Sequence, residues 1–142
     1  MSSILKEKYL DRKYETMSWE EAASAPVSAI SGVSEQDHEA LKETFGIDTI
    51  RELALNKYVL LAQGVNVFSQ ASGVIFDKSF NSDEYKELRK KSVNIIEGLS
   101  KTEATLLKRA FGIDTIQELA ENKFVVIAQT IMTLAILEEI ED

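Results

Sequence analysis

Phe45-Gly46-Ile47-Asp48-Thr49-Ile50 returns unchanged as Phe111-Gly112-Ile113-Asp114-Thr115-Ile116, 66 residues later. Glu52-Leu53-Ala54, Asn56-Lys57 and Ala62-Gln63 recur at the same offset, which marks a duplicated structural unit. Locally the hexapeptide reads as a helix end followed at once by a helix start. Gly46 and Gly112 suit the left-handed position that closes a helix, where a Cβ would be penalised, and the following isoleucine supplies the usual apolar contact. Thr49 with Glu52, and Thr115 with Glu118, have capping-box spacing. These residues are expected to be structural corners without chemistry.

Outward from this stretch the copies align without a gap from Asp11, giving repeats 11–76 and 77–142. Tyr14 meets Phe80, Trp19 meets Tyr85, Val27 meets Val93 and Ile30 meets Ile96, as matched core positions require. Residues 1–10 have no counterpart and read as a lead-in dispensable to the fold. Ile30-Ser31-Gly32-Val33-Ser34 and Ile96-Glu97-Gly98-Leu99-Ser100 read as tight hairpins between helices. Gly32 and Gly98 supply the unusual backbone angle, and Ser34 and Ser100 cap the next helix, whose buried face is marked by Leu41 and Leu107. Ser18-Trp19-Glu20-Glu21 opens a short helix as a capping box, stopped by Ser24-Ala25-Pro26. The second copy opens with Asn81-Ser82-Asp83-Glu84, lacks the proline, and is expected to run on as helix toward Ile96.

Each repeat ends in a longer helix after a sharp turn at Asn56-Lys57 or Asn122-Lys123. Phe124 to Leu137 is apolar nearly all round, with only Gln129, Thr130 and Thr133 as a polar edge. It is expected to lie centrally, against its own unit and against the other unit or a second chain, so that its surface can extend into a homodimer. The helix from Tyr58 is wetter and is expected to run to Gly73, with Gly64 either allowing close helix approach or weakening the helix. Val74-Ile75-Phe76 is expected to be a connector tucked onto the core. The fold class that follows is all-α.

At the hairpins, the pattern aliphatic-x-Gly-aliphatic-Ser, then a helix and Phe-Gly-Ile-Asp-Thr-Ile-x-Glu-Leu-Ala, resembles tandem helix-hairpin-helix domains over residues 30–54 and 96–120. The resemblance implies two tandem units packed with approximate twofold symmetry. In that family two glycines flank an aliphatic residue, and hairpin amides grip a nucleic-acid phosphate without reading sequence. Gly32 and Gly98 match the first glycine, whereas Ser34 and Ser100 replace the second. Other members use the same hairpins for protein contacts, so the likeness speaks to fold before activity.

The chain has no cysteine, which excludes thiol catalysis, disulfides and thiolate metal sites and makes a reducing cytoplasm the natural setting. The N-terminus lacks the apolar run of a secretory signal. The longest apolar stretch, Phe124 to Leu137, is 14 residues, short of the roughly 20 that span a bilayer, so no membrane association is expected. The one histidine, His38, stands among Glu35, Asp37 and Glu39 and reads as a surface residue of a solvated acidic helix. No catalytic residue, cofactor or metal site is expected.

The net charge of −8 opposes nonspecific attraction to phosphate backbones. The best nucleic-acid signal is the cluster Arg89, Lys90, Lys91, Lys101, Lys108 and Arg109 around the second hairpin with Gly98 and Ser100. Against it stand Glu97 and Glu103 in the same unit and the acidic first hairpin with Glu35, Asp37, Glu39 and Glu43. Glu138-Glu139-Ile140-Glu141-Asp142 reads as a fraying helix end or an acidic docking tail. The function expected is therefore a noncatalytic protein-interaction or scaffolding module with an unidentified protein partner. Weak, sequence-independent DNA or RNA binding through the second hairpin is the alternative.

Overall fold

In the computed structural model the described residues are Leu10, Asp11, Tyr14 and 16–141. They are mostly helical, and their only β pairings are isolated bridges. In chain order the α-helices are α1 (Trp19–Ala23), α2 (Glu35–Phe45), α3 (Ile50–Ala54), α4 (Lys57–Phe68), α5 (Asp83–Leu88), α6 (Lys101–Phe111), α7 (Ile116–Glu121) and α8 (Lys123–Glu141). Short 3-10 turns at Val27–Ala29 and Val93–Ile95 precede the two hairpins. No helix among the described residues is long and apolar enough to cross a membrane.

The corners form as their residue types require. Gly46 and Gly112 take φ of 70° and 69°. Their amides donate to the Lys42 and Lys108 carbonyls, and Ile47 and Ile113 then enter the core. Thr49 and Thr115 close complete capping boxes with Glu52 and Glu118, which satisfy two amides at the start of α3 and of α7. Ser18 does the same for α1 with Glu21.

Two compact units result, and they are not the two sequence repeats. One holds the described residues up to Asn56 together with Lys123 onward; the other is Lys57–Asn122. Each unit therefore combines the short helices of one repeat with the long last helix of the other. In the first, α8 packs on α1 and α3, burying Val125, Ala128, Ile131 and Ala135. Gln129 Nε2 also donates to the Ala54 carbonyl at 3.1 Å. In the second, α4 packs on α7 and α5, burying Tyr58, Val59, Ala62 and Val65. There the aligned Gln63 donates to the Ala120 carbonyl at 3.2 Å. Of the expectation that Phe124 to Leu137 lies against both its own repeat and the other, the structure shows the second part, with α8 packed on α1 and α3 of the first repeat.

Other expectations also give way. The second opening does not run on toward Ile96: α5 ends at Leu88, because the carbonyls of Arg89 and Lys91 accept the Gln117 and Ile116 amides at the start of α7. That demand on backbone acceptors overrides helix propensity. α4 stops at Phe68 rather than Gly73. A Cβ on Gly64 would meet nothing within 4 Å, so this glycine serves no close helix approach. Val74 and Ile75 are not tucked away, whereas the Phe76 ring packs on Phe80 with centroids 4.7 Å apart. Val74 is 81% exposed, in a turn whose last three amides share the Ala71 carbonyl. Leu10, at the end of the lead-in, is buried and bridges Ile30, which ties that residue to the fold; residues 1–9 lie outside the described set.

Candidate interaction site

The second hairpin is built from the inside. Gly98 has φ of 91°, and the Tyr58 hydroxyl beneath it donates to its carbonyl at 2.9 Å. Leu99 is buried and anchors the turn, leaving Ser100 to start α6. The Ser100 amide donates to Glu103 Oε1 at 2.7 Å, and the Glu103 amide returns to Ser100 Oγ at 3.1 Å. The Leu99 amide is taken by the Ile96 carbonyl at 3.1 Å. The Leu99 and Ser100 amides are thus engaged, and a carboxylate stands over the N-terminus of α6.

Cations gather on the flank of α6 instead. Lys101, Lys108 and Arg109 line a cleft of about 440 Å³ with Ser92, Asn94, Ala104, Thr105 and Asp114. Lys108 Nζ lies 3.4 Å from Asp114 Oδ2, both side chains largely exposed, so the pair contributes little to stability. Of the basic residues singled out in the sequence, these three are brought together. Arg89, Lys90 and Lys91 are not in the cleft. Arg89 Nη1 donates to Ser69 Oγ at 3.1 Å, Lys90 sits 3.8 Å from Glu87, and the Lys91 carbonyl serves α7.

Ala104 is the residue that opens this cleft, because the aligned position in the first unit is His38. That histidine is buried, at 8% exposure, and its Nε2 lies 2.7 Å from Asp48 Oδ1. Asp48 aligns with Asp114. The surface placement expected for His38 is therefore corrected: the ring fills its groove against Asp48, where Ala104 leaves room beside Asp114. The first hairpin otherwise matches, with Gly32 at φ 97° and Ser34 Oγ accepting the Asp37 amide at 3.0 Å.

Glu118 supports the cleft wall from behind. The Thr115 amide, and then the Asp114 amide, each at 2.9 Å, hold its carboxyl below the ordinary glutamate value. Asp77, on the exposed turn before α5, is likewise lowered, first by the Ser79 hydroxyl and then by the Ser79 amide.

Sequence reasoning missed Glu138. Its two oxygens accept the Trp19 and Glu20 amides, so this acid is a cap for α1 and not part of a loose tail. The helix continues to Glu141, while Asp142 lies outside the described residues. Among the described residues no group of three or more His, Asp or Glu is placed to hold a metal ion. Comparison with protein-family models, curated proteins and solved structures finds no match for this chain.

Proposed function

We propose that this chain is a noncatalytic protein-interaction module of tandem helix-hairpin-helix-like units, contacting its partner through the α6 flank and not through the hairpin amides. The observation that carries this reading is the Ser100–Glu103 capping box. Gripping a phosphate with the second hairpin needs the amides at the start of α6. Here the Ser100 amide is engaged by Glu103, whose negative charge stands where a phosphate oxygen would have to come. Lys101, Lys108 and Arg109 instead line the cleft on the α6 flank, on long side chains suited to carboxylates of a protein surface.

Sequence-independent nucleic-acid binding is the second reading, favoured by the convergence of the same three cations in one cleft. Affinity purification from the native source, with and without nuclease, separates the two. A partner retained after nuclease supports protein interaction; loss of every co-purifying protein on nuclease treatment favours the second reading.

A further inference from the structure

α2 and α6 are the same helix in the two repeats, each 11 residues long and each opening from a capping serine. Their exposed faces carry opposite charge in the same register. Glu35, Glu39 and Glu43 form one stripe of α2 at four-residue steps, and all three are exposed. At the aligned positions α6 presents Lys101, Thr105 and Arg109, also exposed; the exposed lysine beside each stripe, Lys42 or Lys108, is common to both helices. Both stripes extend over about 12 Å at the α-helical rise. The cationic one borders the open cleft, which offers the Ser92 and Asn94 side chains as further polar partners for a carboxylate.

We propose that the α6 stripe and cleft of one copy dock on the α2 stripe of a second copy, giving reversible self-association. This rests on the reading of the chain as a protein-interaction module and names its partner. Charge complementarity selects the occupant. The acidic stripe matches the cationic one in length, spacing and helical setting, and a copy of this chain is certain to carry it. Neither stripe can pair with its own kind, so the contact sets α6 of one copy against α2 of another. The net charge of −8 opposes approach at long range. A Debye length of about 10 Å near 0.1 M salt screens that repulsion while sparing charges in contact, and about 3 Å near 1 M salt screens both.

Light scattering and sedimentation velocity on the purified full chain test this. Near 0.1 M salt and about 0.5 mM protein, the weight-average mass should exceed the 15.9 kDa monomer by a factor of about 1.3 or more. It should return to the monomer value near 1 M salt, whereas an apolar contact would hold or strengthen. E39K/E43K and K101E/R109E, each checked for helicity by circular dichroism, should both be monomeric alone and re-associate when mixed. Because mixing restores opposite stripes, a folding defect cannot mimic that result. A monomer under all conditions, salt-independent association, or a mixture that stays monomeric overturns the proposal. Those results leave the interaction-module reading to the nuclease-controlled purification, which can fail on its own by yielding only nucleic-acid-tethered proteins.

Discussion

The Glu138 carboxylate caps a helix that begins at Trp19, more than a hundred residues earlier: one oxygen accepts the Trp19 amide at 2.9 Å and the other the Glu20 amide at 3.1 Å. Two of the four orphan donors of α1 are thereby satisfied, and a negative charge sits at the positive end of its dipole. Since α8 reaches α1 through this contact, Glu138 also fixes the far end of the exchanged helix. Glu138→Ala should cost about 0.5–2 kcal/mol in chemical denaturation, the range for losing a helix cap. An unchanged midpoint would mean that water serves these amides equally well.

The glycines fall into two classes with different expected costs. A Cβ at Gly46 or Gly112 meets nothing within 4 Å, so alanine there incurs only the left-handed backbone penalty, about 1 kcal/mol. At Gly98 a Cβ would lie 3.1 Å from the Tyr58 hydroxyl, and at Gly32 it would lie 3.2 Å from the Phe124 ring. Gly98→Ala and Gly32→Ala should therefore unfold at lower denaturant than Gly112→Ala. Equal midpoints for all of them would contradict the close packing of Tyr58 and Phe124 under the hairpins.

Those two aromatic residues show where the sequence is legible and where it is not. Caps, turns and buried faces are set by short-range chemistry, so Gly46, Thr49, Ser100 and Leu107 could be placed from their neighbours alone. The socket for each long helix is different. Tyr58 lies under Gly98 and Phe124 under Gly32, in both cases the hairpin of the other repeat. Near-identical sockets leave the local pattern no way to say which hairpin receives which helix. The cleft was half legible for a similar reason: the cations were visible, but the room between them depends on Ala104 facing Asp114 where His38 faces Asp48. Burial of His38 was hidden by its acidic neighbours in sequence, and the use of Glu138 by its distance from Trp19.

Ala104→His tests the cleft directly. The imidazole should occupy the groove beside Asp114 as His38 does beside Asp48, leaving stability near that of the parent and lowering self-association to the level of K101E/R109E. Full association in this variant would show that docking does not use the cleft.

Acid should weaken the fold partly through Glu118. Its folded pKa lies below the ordinary value of 4.5, so the stability it confers is present in full above that value and is lost as pH falls through the folded pKa. Glu118→Gln should flatten the acid limb of a stability-pH profile below about pH 4.5. A profile identical to that of the parent would remove Glu118 from the acid response.

The central functional proposal is that protein contact runs through the α6 flank, and that the second hairpin does not grip phosphate because Glu103 engages an amide it would need. Fluorescence anisotropy of labelled duplex and single-stranded nucleic acid over a salt series addresses it most directly. The account predicts no binding tighter than about 100 μM at about 150 mM salt, and no difference between the parent and Lys101→Glu/Lys108→Glu. Micromolar or tighter binding that weakens steeply with salt and disappears in the double reversal would contradict it.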